Sequence, residues 1–200
     1  MEIIIATWNK TKGKWLSEGF SHFGLKIRLL DKNEIDDVEE NGKNSVENAL
    51  IKVRAIGARK NSIIIGEDSI LSVDALDGFP GVKTVRWSEG TDDDRSLKLL
   101  DKMKNIREKE RGAKFQSSIA LLFPDGLEET STGELSGKIS QEITGEKGKG
   151  YQRIFVLKDG KSLAQSDSAL IMSGDHRDNS MKMASLKIQD WLRKNLNDAK

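Results

Sequence analysis

Two short apolar runs, residues 3–6 and 62–65, constrain the fold more than any other feature of the sequence. Both are continuous rather than alternating, and both are rich in isoleucine. A strand of this kind is buried on both of its faces, so helices must cover the sheet above and below. The two runs therefore predict an α/β protein with a central sheet.

The remaining apolar patterns supply the other elements of such a fold. Helical spacing predicts helices after the first run and over residues 45–60, 92–107 and 177–196, with Ser45 as the N-cap of the second. Further strands are predicted over residues 26–30, 71–75, 113–123, 127–139 and 153–157, with a hairpin turn at 124–126. This order predicts one mixed β-sheet flanked by helices, in two lobes around a central cleft, within a single domain of residues 1–200.

The composition limits the partners and the compartment. Lys and Arg number 33 against 32 Asp and Glu, and a net charge of +1 argues against a nucleic-acid coat or a polybasic membrane anchor. The absence of cysteine excludes disulfides, a thiolate nucleophile and Cys-ligated metals. No apolar stretch approaches the roughly 18–20 residues of a transmembrane helix, and the acidic start is unlike a secretory signal. We expect a cytoplasmic protein that binds neither nucleic acid nor membrane.

The first polar motif directly follows the first apolar run. Thr7, Asn9 and Lys12 lie in a turn that opens a helix. Backbone N–H groups at a helix N-terminus, together with a hydroxyl, an amide and amines, form a cradle for an anion. The motif is not a Walker A loop, which requires GxxxxGK[ST]. A solvated, lysine-rich turn is the alternative.

Two further motifs supply carboxylates. Glu47 and Lys52 lie about 140° apart around a helix, too far for an ordinary i, i+4 surface pair. The carboxylate could hold a metal and the amine a phosphate. Glu67, Asp68 and Ser69 end the second apolar run, where open α/β sheets bind ligands. Carboxylates there would bind Mg²⁺, and Asp68 could activate water. Helix-surface decoration and a capped turn are the respective alternatives.

The fourth motif precedes the last helix. Asp175, His176 and Arg177 offer an acceptor, a tunable donor and a planar fork for a base or a phosphate. A helix N-cap at Asp175 with exposed neighbours is the alternative.

The joint order of these motifs resembles that of the inosine triphosphate pyrophosphatase family, over nearly the whole chain from residue 3 to residue 191. Thr7-x-Asn9-x-x-Lys12 matches T-G-N-x-x-K of that family. Residues 45–52 resemble S-F-x-E-N-A-x-x-K, and residues 67–76 resemble D-D-S-G-L-x-V-D-A-L. Residues 150–155 resemble G-Y-D-P-I-F, and residues 175–177 resemble S-H-R.

The resemblance implies an elongated α/β fold with a deep cleft, usually a homodimer. The implied reaction is Mg²⁺-dependent hydrolysis of non-canonical purine nucleoside triphosphates (ITP, dITP, XTP) to the monophosphate and pyrophosphate. Its implied metal ligands are Glu47, Glu67 and Asp68, and its catalytic residues are Asp68, Lys12 and Glu47. The implied substrate-binding residues are Thr7, Asn9, Lys12, Lys52, Ser69, Tyr151, Gln152, Asp175, His176 and Arg177.

Departures from the family pattern concentrate among the residues that would contact the base. There, Gln152-Arg153 replace Asp-Pro, Asp175 replaces Ser, and Ile171 replaces a Lys. Two departures lie elsewhere: Trp8 replaces a glycine in the phosphate loop, and Ile70 replaces the glycine after Asp68-Ser69. The phosphate and metal residues are largely kept. Two alternatives therefore stand beside the main expectation: the same chemistry with an altered or relaxed base preference, or a catalytically weak nucleotide-binding homologue.

Overall fold

The computed structural model describes residues 1–36, 38–166 and 176–197. Residues 196 and 197 are described by their backbone only. Within these ranges the strands are β1 (Glu2–Ile5), β2 (Lys26–Leu29), β3 (Ser62–Val73), β4 (Pro80–Gly81), β5 (Gly112–Leu122), β6 (Glu128–Ile139) and β7 (Phe155–Val156). The helices are α1 (Lys10–Phe20), α2 (Ser45–Ile56), α3 (Asp92–Lys102) and α4 (His176–Asn197). No helix in the described part of the chain is both long and apolar enough to span a membrane.

The strands form one mixed sheet in the order β2-β1-β3-β5-β6-β7, with β4 paired to β3. Strand β1 runs parallel to both β2 and β3, whereas β4 is antiparallel to β3 and β7 is antiparallel to β6. The predicted turn between β5 and β6 is confirmed, because Phe123 N donates to Leu127 O at 2.9 Å. The predicted α/β fold with a mixed sheet flanked by helices is therefore confirmed.

The chain divides into two compact units. The first unit comprises Met1–Asp68, Ser117–Gly133 and Arg177–Lys200, and the second comprises Ser69–Gln116 and Glu134–His176. The single domain of residues 1–200 and the cleft stay predictions.

In the first unit, both faces of the sheet are buried, as the apolar runs predicted. Ile3, Ile5, Ile63 and Ile65 pack in one cluster with residues of α1 and α4. Ile4 and Ile64 pack in another with residues of α2. Because side chains alternate along a strand, the odd-numbered residues of β3 up to Asp68 face α1 and α4, and the even-numbered ones face α2.

The second unit has its own core around Leu71, Leu99 and Phe155. Arg111 is a buried cation of the same unit, only 2% exposed. Its guanidinium donates to the carbonyl oxygens of Met103 (2.7 Å), Ile106 (3.3 Å), Ile139 (2.8 Å) and Ser140 (2.6 Å). A buried side chain thereby satisfies carbonyl groups that follow α3 and end β6.

The predicted break in the middle of β3 is wrong. The strand continues from Ser62 to Val73, so Glu67, Asp68 and Ser69 lie within it rather than after its end. The separate strand predicted over residues 71–75 is also wrong, because residues 71–73 end β3 and Asp74–Leu76 form a 3-10 helix.

The ends of the helices also differ from the prediction. Asn44, not Ser45, is the N-cap of α2, because its Oδ1 accepts from Glu47 N at 2.9 Å. Helix α2 ends at Ile56 rather than residue 60, since Gly57 follows it with a φ of 72°. Helix α3 ends at Lys102 rather than residue 107. Arg111 donates to the carbonyl oxygens of Met103 and Ile106, which follow the helix. Strand β7 is shorter than predicted.

Candidate active site

Thr7 and Asn9 shape the loop that leads into α1. Asn9 is the N-cap, and its Oδ1 accepts from the backbone N of Thr11 at 3.0 Å and of Lys12 at 3.2 Å. Thr7 Oγ1 accepts from Asn9 N at 3.2 Å. These bonds fix the first turn of α1, and Lys12 lies on that turn. The predicted strand-loop-helix frame of an anion cradle is present.

Trp8 is accommodated in this loop by packing. Its half-buried indole contacts the apolar cluster on the α2 side of the sheet, as do Ile35 and Leu50. The capping bonds of Asn9 are formed with the tryptophan in place. Replacement of the family glycine therefore leaves the start of α1 intact.

Glu67 and Asp68 are adjacent in β3 and consequently point to opposite faces of the sheet. On the α1 side, Lys12 Nζ lies 2.8 Å from Glu67 Oε2. On the α2 side, Asp68 Oδ1 lies 3.4 Å from Lys52 Nζ, and Asp68 Oδ2 accepts from Asn48 Nδ2 at 3.3 Å. Each carboxylate thus meets a lysine from the helix that covers its own face.

Gly66 allows α2 to lie close enough for this contact. A Cβ atom at Gly66 would lie 2.7 Å from Ala49 O and 3.1 Å from Lys52 Cβ. Because only a hydrogen fills this space, Lys52 also reaches the backbone of the strand and donates to Glu67 O at 2.9 Å.

Glu40 is a further carboxylate of this site that the sequence did not single out. Its Oε1 lies 3.3 Å from Lys52 Nζ. It belongs to the acidic segment before α2, where many charged residues in an irregular stretch give no signal of their own. Lys52 therefore lies between Glu40 and Asp68.

Burial and neighbouring charges shift the pKa values of Asp68 and Lys12. Burial raises the pKa of Asp68, and Lys52 and Lys12 oppose this shift. Burial and the charge of Arg177 act to lower the pKa of Lys12, whereas the carboxylates of Glu67 and Asp68 act to raise it. The carboxylates prevail, so the pKa of Lys12 lies above its ordinary value. A protonated lysine whose counter-ions are carboxylates is suited to neutralise phosphate groups.

Glu47 lies on the first turn of α2, and its carboxylate accepts hydrogen bonds from the residues just before that helix. Its oxygens accept from Lys43 N at 2.8 Å and from Asn44 Nδ2 at 3.3 Å. Across the described ranges, no three or more His, Asp or Glu side chains come together in a group that could hold a metal ion. The set Glu47, Glu67 and Asp68 stays a prediction.

The second unit contains the loop predicted to contact the base. The Tyr151 hydroxyl donates to Thr84 O at 3.0 Å and accepts from Trp87 Nε1 at 2.6 Å. Burial raises the pKa of Tyr151. Both bonds hold the tyrosine ring against residues of its own unit.

Two of the departures from the family pattern stabilise this loop. Arg153 lies 3.0 Å from Asp93 Oδ2, and Asp93 Oδ1 accepts from Gly150 N at 2.7 Å. Gln152 Oε1 accepts from Lys149 N at 3.2 Å. In the structure these two residues bind their own loop and the start of α3.

The remaining predicted residues are placed as follows. Ser69 is half-buried in β3. His176 is buried at the start of α4, with its ring 5.2 Å from that of Phe115 and 14° from parallel. Arg177 follows in the first turn. Asp175 and Ile171 lie outside the described residues.

Comparison with known proteins decides the family. Residues 3–186 match the Ham1 family. The chain belongs to the Ham1 family. A relative from Halalkalibacterium halodurans, named "Non-canonical purine NTP pyrophosphatase homolog", is 40% identical over 96% of this chain and 97% of its own. A "dITP/XTP pyrophosphatase" from Symbiobacterium thermophilum is 39% identical over 82% of each chain.

Solved Ham1 structures share the fold. The Staphylococcus aureus Ham1 protein is 31% identical and superposes with a TM-score of 0.83, covering 95% of this chain and 99% of its own. The Mycobacterium abscessus nucleoside-triphosphatase, also named dITP/XTP pyrophosphatase, is 31% identical with a TM-score of 0.76, covering 93% and 97%. The resemblance drawn from the motifs is thereby confirmed at the level of the family.

Proposed function

We propose that this chain hydrolyses non-canonical purine nucleoside triphosphates such as ITP, dITP and XTP to the monophosphate and pyrophosphate, with Mg²⁺ as cofactor. The observation that carries the proposal is the pair of lysines on the two faces of β3, each held by a neighbouring carboxylate. The names of the Ham1 relatives supply the substrate class.

The two lysines fit the charge problem of this reaction. A triphosphate carries about four negative charges, and more charge develops on the pyrophosphate as it leaves. Lys12 and Lys52 would donate to phosphate oxygens while their carboxylates orient the amines, because an ammonium group has three donors. Thr7 and Asn9 would keep the first turn of α1 in place, where its N–H groups attract the same anion.

Asp68 is proposed to act on the attacking water or to hold the metal. The water attacks the α-phosphorus, the bond to the β-phosphate oxygen breaks, and a proton passes from the water to a base. Asp68 Oδ1 and Oδ2 are held by Lys52 and Asn48, so the carboxylate has a fixed orientation. A group with a set orientation is what general base catalysis requires.

The donor set of the first unit suits Mg²⁺ in chemical type. This ion takes one or two carboxylates and completes its shell with substrate phosphates and water. Asp68 and Glu40 both lie beside the amine of Lys52 on the α2 side, so Glu40 joins Asp68 and Glu47 as a proposed ligand there. Glu67 points to the opposite face of β3 and contacts Lys12, so it would not share that ion. Bound on the α2 side, the metal would neutralise charge on the phosphates.

A second candidate keeps this chemistry with an altered or relaxed base preference. The observation that favours it is the loop of Tyr151, where Gln152 and Arg153 bind the loop itself. The third reading, a weak nucleotide-binding homologue, is disfavoured because Lys12, Glu47 and Asp68 are intact.

We also propose that the chain is a cytoplasmic homodimer that associates through residues 78–87 and α3. Exposed apolar side chains at Val85 and Leu97 support this face. Light scattering at micromolar concentration tests the proposal, and a monomer would remove it without affecting the chemistry.

The deciding experiment measures pyrophosphate release from ITP, XTP, dITP, GTP, ATP and CTP, with Mg²⁺ and with EDTA. We expect metal-dependent release from ITP, dITP and XTP and little from ATP. Equal turnover of all bases would support the second candidate, and no release from any nucleotide would reject pyrophosphatase function. An Asp68→Asn variant with wild-type turnover would reject the role given to Asp68.

A further inference from the structure

A chain of buried serine hydroxyls begins at Glu67. Glu67 Oε1 accepts from Ser117 Oγ at 2.9 Å, while Oε2 contacts Lys12. Ser117 in turn accepts from Ser180 Oγ at 3.2 Å. Ser117 and Ser180 are both fully buried. The chain therefore connects β3, β5 and α4 inside the first unit.

The direction of these hydrogen bonds is fixed by Glu67. An ionised carboxylate only accepts, so the single proton of the Ser117 hydroxyl points to Glu67. Ser117 can then only accept from Ser180, whose own proton is shared with Arg177 O at 2.8 Å. Loss of the Ser117 hydroxyl would leave Glu67 Oε1 without this donor in a buried site, which is costly.

The far end of the chain lies in the first turn of α4. Ser180 accepts through its carbonyl oxygen from Ser131 Oγ on β6 at 2.8 Å. Arg177 lies three residues before Ser180 on the same helix. Its positive charge acts to lower the pKa of Lys12. Like charges repel each other, so hydrogen bonds that link α4 to Glu67 would keep the two cations in a fixed arrangement.

We infer that Ser117 and Ser180 are positioning residues that fix Glu67, and through it the amine of Lys12, relative to the turn of α4 that carries Arg177. The inference rests on the proposed function, because its purpose is to present Lys12 and Arg177 to a nucleoside triphosphate as a rigid pair. The serines themselves touch neither substrate nor metal.

The chain provides a matched control one residue away. Ser118 is equally buried on β5 but faces α2, where its Oγ contacts Ser45 Oγ at 2.8 Å and Thr132 Oγ1 at 3.0 Å. Ser117→Ala and Ser118→Ala remove the same atoms from the same strand. A purely structural role for Ser117 would make the two variants alike in every measurement.

The test measures ITP turnover, the affinity for inorganic tripolyphosphate by calorimetry, and the melting temperature of both variants. We expect Ser117→Ala to lower kcat/KM about tenfold, mainly through KM, and to weaken tripolyphosphate binding about tenfold, as the loss of one charge-assisted hydrogen bond predicts. Ser118→Ala should stay within about twofold of wild type in both measurements at a similar loss of thermal stability.

Double variants test the order of the chain. Because Ser180 acts through Ser117, Ser117→Ala/Ser180→Ala should bind tripolyphosphate no more weakly than Ser117→Ala alone. In the Ser118→Ala/Ser180→Ala variant the two effects should add.

The outcomes separate the two proposals. Equal binding and turnover by the Ser117 and Ser118 variants, or additive effects of Ser117 and Ser180, would overturn the inference while wild-type turnover upholds the function. If the wild type releases no pyrophosphate, the function fails, and the tripolyphosphate affinities alone decide the inference.

Discussion

The second unit buries Arg111 and the first holds Lys12 and Lys52 half-buried, and these cations have different partners. In the second unit, the guanidinium of Arg111 donates to four backbone carbonyl oxygens. In the first unit, Lys12 and Lys52 lie against carboxylate side chains. A backbone carbonyl is fixed in the fold and only accepts hydrogen bonds, whereas a carboxylate can exchange its amine for a metal ion. The partner of a buried or half-buried cation thus separates a structural role from one open to ligands.

The largest expected effect is the loss of activity on replacement of a site lysine. Lys12→Met should lower kcat/KM for ITP by about 10²–10³-fold, because one donor to developing phosphate charge is removed. Lys14→Met, on the same helix and paired with Glu18 at the surface, is the control and should leave kcat/KM unchanged. Comparable turnover of the two variants would place Lys12 outside the site.

Arg111 should behave in the opposite way. Arg111→Met removes the guanidinium bonds to four backbone carbonyls and should lower the free energy of unfolding by about 3 kcal/mol or more, with kcat/KM unchanged where the variant is folded. Urea denaturation measures the loss, and Arg107→Met, an exposed arginine, should change stability by less than about 0.5 kcal/mol. A stable but inactive Arg111 variant would break the comparison.

The close approach of α2 to β3 gives a smaller, mixed effect. In Gly66→Ala the new methyl group would press on Ala49 O at 2.7 Å, and we expect about 1–3 kcal/mol of destabilisation together with a lower kcat/KM, because Lys52 moves. Gly19→Ala is the control, since its new contact is the flexible end of Met181. An unchanged kcat/KM in Gly66→Ala would contradict the expectation that activity depends on the position of the Lys52 amine.

The smallest effect concerns Glu34, whose carboxylate pairs with guanidinium groups away from the site. Hydrogen bonds from Arg28, Arg59 and the Asp31 backbone hold the pKa of Glu34 well below its usual range. The folded pKa is depressed, so the stabilisation is present above the unfolded pKa of about 4.3 and is lost as the pH falls towards the folded value. Wild type should exceed Glu34→Gln by up to about 1 kcal/mol at pH 7 and converge with it in acid. A difference independent of pH would contradict this.

The sequence was most informative where burial is continuous. The isoleucines of β1 and β3 predicted strands with two covered faces because no other arrangement hides them. The strand through Gly66 was missed because a glycine followed by two carboxylates and a serine is typical of a turn. Only the neighbouring strand and the lysines of two helices make it favourable to bury Glu67 and Asp68, and those partners are distant in sequence.

The site was predictable in its residue types but not in its connections. Lys12, Lys52, Glu67 and Asp68 were identified together through the family motifs, yet nothing in the local pattern assigned each lysine to its carboxylate. Glu40, Ser117 and Ser180 were not identified at all. A glutamate in an acidic stretch and serines within a strand or a helix carry no periodic signal, so their roles exist only in three dimensions.

The alternation of Glu67 and Asp68 has a consequence for how the protein acquires its site. Ile64 pairs with Ile4 and Ile65 with Ile5 in the parallel ladder of β1 and β3. A slip of β3 by one residue would turn every side chain to the other face, so Glu67 would face α2 and Asp68 would face α1. Such a misfolded molecule would lose both ion pairs and the isoleucine core together. Correct strand pairing thus assembles the site. An insertion or deletion of one residue between Ile65 and Glu67 would exchange the faces of the two carboxylates and break both ion pairs even with the ladder of residues 62–65 intact.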